Sequence, residues 1–435
     1  MSTESLLVER TVFARRAGLQ FGGDRDVWSA LGYRTRPTFV DYCARYKRQD
    51  IAGTIVDRPI RATWRDLPIL TDNDDEEVET PFERAWLDLV DQHRIIERFR
   101  RLDTLAALGE YAVMLIGLAG QDDFSEPLIR GAAGPEGLLY LAPYGQNNIT
   151  IDRHEDDPTS PRFGWPQSYS LQTRTASGET QPTRSVRAHW SRVIHVSADN
   201  LENDVLGTPA LERVLNLLDD MIKVVGGSAE TFWMLAKSPL HANHDPKARP
   251  LTDPEKAEVK EQIDELQHKL RRVLFSSGMD LEYLQSSVAD PRGSFDVIIS
   301  LLSSATGIPK RVLIGSEAGE LASSQDEKNF ANRISERRTD YAEPKILRPT
   351  VGVFVESGVL PEPEGGTFEV VWGSMADADE DAKADTASKW AGAVRDFGQA
   401  TNVIAPSEVR ERFLDLPPEL PDEIASDDEG GEEQA

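Results

Sequence analysis

Apolar positions along the chain follow two rhythms: three- and four-residue steps in some stretches, alternation in others. Past Pro81, the residues Trp86, Leu89, Val90, Ile96, Phe99, Leu102 and Leu105 keep the helical step with one longer gap. This predicts a helix opened by Pro81 and ended by Gly109. Tyr111-Ala112-Val113-Met114-Leu115-Ile116 reads as a buried strand. Further short strands are predicted at 138–141, 149–151, 169–171 and 192–196, separated by turns such as Asp156-Asp157-Pro158. Residues 80–200 therefore read as an α+β unit. Ahead of it, 36–70 mixes short apolar runs with turns. Residues 1–35 hold Gly22-Gly23, lack sustained periodicity and read as an arm.

The texture turns helical at Gly207-Thr208-Pro209, where Thr208 can cap and Pro209 fits the first helical position. Leu211, Val214, Leu215, Leu218, Ile222 and Val225 form one stripe, and the helix runs on towards Trp233 through Gly226-Gly227, a bend or close-packing point. His241-Ala242-Asn243-His244 reads as a loop. Thr252-Asp253-Pro254-Glu255 is a capping-box start for an amphipathic helix over 252–275, followed by a strand over 279–284. A helix over 294–308 stops at Gly307-Ile308-Pro309, and 310–323 reads as a Gly/Ser-rich loop. Ser324-Gln325-Asp326-Glu327 opens a long polar helix that Pro344 and Pro349 are expected to kink or end. A strand over 368–372, two short helices within 377–414 and a disordered acidic tail over 419–435 complete the chain. The predicted fold class is α+β, predominantly helical.

Charge changes the picture most. The 435 residues hold 48 Lys plus Arg against 75 Asp plus Glu, a net charge of −27, and only 12 of the basic residues are Lys. Such an acid excess with scarce Lys suits a high-salt, halophilic setting. At about 1 M salt the Debye length is ~3 Å, so self-repulsion is screened there and felt in dilute buffer. The melting temperature is accordingly expected to rise between dilute and molar salt; a flat profile would contradict the halophilic reading. The same charge argues against a protein that grips nucleic acid through a basic face. The single cysteine, Cys43, excludes a disulfide framework, a thiolate zinc site and an iron–sulfur cluster. No run approaches the ~18 apolar residues of a membrane span, and the first residues carry no secretory leader pattern.

Candidate chemistry thins out on inspection. The phosphate loop GxxxxGK[ST] is missing, as are HExxH and GxSxG. His241 and His244 lie three apart beside Pro246, and an exposed loop pair is a better reading than a metal site. His189 and His195, each followed two residues on by Ser, lie on one short stretch rather than on two strands facing a cleft. The acidic run 72–77 lacks the Gly and distal Glu of a calcium loop. Asp377, Asp379, Glu380 and Asp381 read more simply as a charged helix start than as a two-metal site. No enzyme, cofactor or metal is therefore expected. Lys310 and Arg311, with Arg333, Arg337 and Arg338 on the following helix, look placed in so acidic a chain.

The order of these elements resembles the portal proteins of tailed viruses. The similarity is carried by Val-Arg-Ala-His-Trp-Ser-Arg-Val-Ile-His-Val from Val186 with Gly-Thr-Pro-Ala-Leu-Glu-Arg-Val from Gly207. Ala-Thr-Gly-Ile-Pro-Lys-Arg-Val-Leu-Ile-Gly from Ala305, Ser323-Ser324-Gln325-Asp326-Glu327 and Ile404-Ala405-Pro406-Ser407-Glu408-Val409-Arg410 add to it, and together the pieces span roughly 85–415. The resemblance implies a ring of identical subunits, usually a dodecamer, at one vertex of a viral head. On that pattern 1–35 is an arm, 36–205 and 324–375 the wing, 206–235 and 291–309 the two stem helices, and 236–290 the clip. Residues 310–323 become the tunnel loop and 376–418 the crown. It further implies double-stranded DNA in transit, contacts with a terminase packaging motor, head–tail adaptors and the major capsid protein, and residence in the virion after assembly in the host cytoplasm. Lys310 and Arg311 would touch phosphates briefly, with Ser316, Ser323 and Ser324 as neutral partners and Gly319 lending the loop freedom. A head–tail adaptor without motor contact is the alternative, and a nucleic-acid enzyme the third reading.

Overall fold

The computed structural model describes residues 27–73, 79–173, 184–235, 240–244, 249, 252–267, 279–283, 290–315, 320–373 and 389. One compact unit extends through Trp372, and from Gly373 onward only Gly373 and Lys389 are described. The arm before Val27, the predicted crown apart from Lys389, and the acidic tail lie outside the described residues.

A short helix α1 (Val27–Ala30) forms within the predicted arm, and where short runs and turns are expected the chain forms helices α2 (Phe39–Arg48) and α3 (Asp50–Thr63). Pro59 inside α3 masks the periodicity that buries Ile51, Ile55, Val56 and Ile60. After β1 (Ile69–Thr71), the helix predicted from Pro81 is two: α4 (Pro81–His93) and α5 (Ile95–Leu108). The break falls in the gap between Val90 and Ile96, where Arg94 takes a left-handed φ of 51°. Thr80 caps α4: its hydroxyl accepts the Glu83 amide at 3.2 Å, and the Glu83 carboxylate accepts the Thr80 amide at 3.1 Å.

Strand β2 (Ala112–Leu118) is buried along its whole length because both faces are covered. It sits between β3 (Leu138–Gly145) and β7 (Val193–Val196) in an antiparallel sheet, with Met114 opposite Pro143 and Ile194. Ala112, Met114, Ile116 and Leu118 join the main core with α5, while Tyr111, Val113 and Leu115 face a second core. That second core is built on another antiparallel sheet, β4 (Ile149–His154), β5 (Pro166–Thr173) and β6 (Arg184–His189). Alternation along one strand thus stitches two layers together.

His195 on β7 links these layers. Its ring stacks on Tyr111 with centroids 5.1 Å apart. Nε2 lies 2.8 Å from the Val205 carbonyl, so it donates, and Nδ1 accepts the Tyr169 hydroxyl at 3.1 Å. Burial favours the neutral ring and lowers its pKa to about 4. The unfolded chain therefore binds a proton near pH 6.5 that the folded chain refuses until about 4. Stability should fall as pH drops through that window, by about 3 kcal/mol in all at ~1.4 kcal/mol per unit. Melting curves between pH 7 and 4 should show this slope, and His195→Gln should flatten it.

The remaining helices are α6 (Leu215–Leu235), α7 (Asp253–Gln267), α8 (Arg292–Thr306), α9 (Lys310–Ile314), α10 (Glu320–Arg337) and α11 (Arg348–Ser357). Helix α6 begins at Leu215 rather than near Thr208, whose hydroxyl instead donates to the Asp199 carbonyl at 3.0 Å. Residues 240–244 form β8, paired antiparallel with β9 (Met279–Tyr283), so His241 and His244 lie on a strand and not in a loop. Pro344 does not end the long helix. The stretch Arg338–Leu347 widens into π-helical turns in which the Arg348 amide donates to Glu343, five residues back. The wider turn accommodates a proline that a regular helix would reject. Strand β10 (Glu369–Val371) then pairs with β1, Leu70 opposite Val370.

Arg338 is a core residue, and Arg337 lies half-buried beside it. Arg338 is 2% exposed, lies 5.0 Å over the Trp372 ring, and donates to the Thr63 and Ala62 carbonyls that end α3 and to Asp66. Arg337 donates to the Asp103 carboxylate at 2.6 Å and to the Thr63 hydroxyl at 2.8 Å. Asp103 is fully buried and also accepts the Trp64 indole at 2.8 Å. Burial alone would pull the Arg337 pKa down; the Asp103 carboxylate outweighs it and holds it above its usual value.

Candidate subunit interface and channel segment

Helices α6 and α8 pack side by side. Leu215, Leu218 and Met221 on one, and Ile298, Ile299 and Leu302 on the other, are buried. The stripe read from the sequence continues into Ile222 and Val225, yet these stay exposed, as do Phe232, Val297 and Leu301. Val225 is 51% exposed and Val297 59%, values that suit a surface another partner covers. A Cβ added at Gly226 or Gly227 would meet nothing within 4 Å, and α6 runs through both without a break.

Helix α8 ends at Gly307, in the left-handed region at φ 64°, with the Gly307 amide donating to Ser303. The Ser303 hydroxyl donates to the Ile308 carbonyl at 2.7 Å and fixes the exit. The Arg333 guanidinium lies where a side chain at Gly307 would go. Gly307→Ala should thus cost about 1–2 kcal/mol through the left-handed backbone and the displaced Arg333; urea unfolding would measure it.

The segment expected to be a loop over 310–323 is largely helical. Lys310 and Arg311 open the five-residue α9. Pro309 precedes them in extended conformation and supplies the start. The Lys310 ammonium pairs with Asp296 of α8 at 3.0 Å, and Arg311 with Asp326 of α10 at 3.9 Å. Both cations are therefore balanced by carboxylates from flanking helices, a pairing the sequence reading missed. Ser323 and Ser324 lie on α10, which starts at Glu320, four residues before the predicted capping box. Ser316 and Gly319 lie outside the described residues. Of the other basic residues singled out, Arg337 and Arg338 serve the core and Arg333 stands exposed beside Gly307.

An open cleft of about 1210 Å³ lies between α2 and α3 on one side and α6, α8 and α9 on the other. Ile51, Ile222, Val225 and Ile314 give it an apolar floor, and Arg48 and Arg58 stand at its rim. Sequence reasoning missed it because α2 and α3 were not recognised as helices.

Of the acidic run, Asp72 is a structural tie, accepting the Thr80 hydroxyl at 2.6 Å and the Glu364 amide at 2.7 Å. Among the described residues no group of three or more His, Cys, Asp or Glu converges to hold a metal ion. No described helix is long and apolar enough to cross a membrane.

The family model for phage portal protein matches residues 40–396, well over half of the chain. The chain belongs to the phage portal protein family. No curated protein matches it. Among solved structures, a chain in the neck of an empty gene transfer agent particle, computed with C6 symmetry, is similar at 16% identity. The alignment covers 94% of this chain and 100% of that one with a TM-score of 0.56. The neck of the native particle, computed with C12 symmetry, gives 16% identity, the same coverage and 0.55. The virion of the native particle gives 17% and 0.53, again over 94% and 100%. At such low identity the likeness is one of fold. As a phage portal family member the chain is a structural protein of a virion, and the α+β, mainly helical architecture agrees with it.

Proposed function

We propose that this chain is the ring-forming portal subunit of a tailed virus or a particle built like one, and that its ring passes double-stranded DNA into and out of the capsid. The supporting observation is the uncovered apolar face on the paired helices α6 and α8, which a neighbouring copy would bury. Twelve copies would match the C12 symmetry with which the similar native neck was computed. In this reading 36–205 and 324–375 are the wing, 206–235 and 291–309 the stem, 236–290 the clip, 310–323 the segment at the constriction and 376–418 the crown.

A conduit must not hold what it conducts. Phosphate contacts from Lys and Arg dominate affinity for DNA, and the net charge of −27 keeps a bore from adhering. Lys310 and Arg311, each already paired with a carboxylate, would exchange that partner for a passing phosphate at little net gain. Ser316, Gly319, Ser323 and Ser324 complete the proposed constriction. Without a phosphate loop, energy for packaging would come from a separate terminase motor docking at the clip, with head–tail adaptors following and the major capsid protein around the wing.

The test is imaging of purified protein in molar salt. Rings with a flange, a stem and a central hole are the expected result, and a monomer under those conditions would overturn the proposal. The likeness to neck structures favours one second reading, a head–tail connector without motor contact. A ring that binds no packaging ATPase would select it.

A further inference from the structure

A second cavity, of about 510 Å³, lies apart from the helix pair: none of its lining residues belongs to α6 or α8. One wall is aromatic, with Trp165, Tyr169 and Trp190 beside His195. The other is α11 and the π-helical turns before it. Its volume falls within the ~300–1,000 Å³ typical of ligand pockets.

Three features of this cavity point to an absent occupant. Gly352 lines it from the middle of α11, is exposed, and a Cβ there would meet nothing within 4 Å. A glycine inside a helix is less stable than an alanine. No described neighbour demands this one, and it keeps the wall clear where a side chain would intrude. Arg162 is the second feature. Its guanidinium lies 3.8 Å over the Trp190 ring, and Nη2 donates to the Pro166 carbonyl at 3.0 Å. Nε is buried with no hydrogen-bond partner, a costly state for a donor. Among the described residues no carboxylate pairs with Arg162, in a chain holding 75 acidic residues against 48 Lys and Arg. The third is Lys345, which the π-helical turns bring to the same cavity. Neutral oxygens alone hold its ammonium, the Ser197 carbonyl at 2.9 Å and Asn200 Oδ1 at 2.6 Å. Two carboxylates border the cavity without neutralising either cation. Glu356 is taken by Arg130 at 2.9 Å, and Asp204 forms no ion pair with Lys345.

We propose that this cavity receives a short acidic segment of a partner protein, with an apolar side chain against Gly352 and the tryptophans and an adjoining carboxylate on Arg162. Charge complementarity sets the sign of the occupant. Stacking on Trp190 holds the guanidinium in place before binding, so less freedom is lost when the carboxylate arrives. Phe163, next to Arg162 in the chain and 58% exposed, continues the apolar surface beyond the cavity and suits a polypeptide rather than a small free acid. This site goes beyond the ring-forming role and does not rest on it.

The experiment is saturation-transfer NMR on the full chain in molar salt with the capped dipeptide acetyl-Phe-Asp-amide. Saturable binding is expected, about tenfold tighter than for acetyl-Phe-Asn-amide, the worth of one charge-assisted hydrogen bond. Arg162→Gln should bring the two peptides level. Gly352→Leu should block both while leaving the melting temperature and circular dichroism unchanged, because its side chain enters open space. No saturable binding, equal binding of the Asp and Asn peptides to the unaltered chain, or binding that survives Gly352→Leu would overturn the proposal. So would 3-phenylpropionate binding as tightly as the dipeptide, which would make the occupant a small aromatic acid.

Discussion

Asp103→Ala is expected to cost about 3–5 kcal/mol, the usual penalty for leaving one member of a buried ion pair without its partner. Asp103 is fully buried and satisfies two donors at once, the Arg337 guanidinium at 2.6 Å and the Trp64 indole at 2.8 Å. Truncation strands a charge and an indole N–H among Phe99, Trp64 and Trp372. Asp103→Asn should cost less, because an amide oxygen can still accept one of the two. Asp103→Leu combined with Arg337→Met should recover much of the loss, since an apolar pair removes both desolvation costs. Denaturant unfolding of the three variants checks the order. Equal losses for the single Ala and the double variant would show that packing, not charge, holds this site.

Val297→Asp with Leu301→Asp should abolish ring assembly while leaving the subunit folded. Both side chains are about half exposed or more on the outer face of α8, so charge there costs the isolated subunit little. Against a neighbour it buries two unpaired carboxylates, a loss of several kcal/mol per contact that is repeated around the ring. Size-exclusion chromatography with light scattering should show a monomer with native circular dichroism. An intact ring would move the interface elsewhere. Ile298→Asp is the contrasting case: Ile298 is buried within the subunit, so that variant should lose its fold instead.

Much of the middle of the molecule was legible because burial and periodicity agree there. Strand β2 is apolar throughout and is covered on both faces. The reading failed where one residue type hid a pattern. Pro59 concealed α3, and Pro344 suggested a kink that π-helical turns absorb instead. His241 to His244 carry no strand signal of their own and pair only because β9 lies alongside. The candidate site was half legible. The stripe on α6 was correctly apolar, but the sequence does not say which part the subunit itself buries. The cations were noticed for their rarity, yet Arg337 and Arg338 are held by Asp103, Asp66 and the end of α3, partners far away in the chain. Composition cannot separate a guanidinium that meets DNA from one that meets a carbonyl in the core.

Arg337 and Arg338 also tie the end of α10 to α3. Helix α10 has 18 residues, about 27 Å at 1.5 Å per residue. Its far end is clamped to α3 through Arg337 and Arg338, while its near end starts at Glu320, just after the segment proposed to meet DNA. A beam held that way acts as a lever: a small push on one tip arrives as torque at the clamp, and every neighbouring copy resting on that wing would feel it.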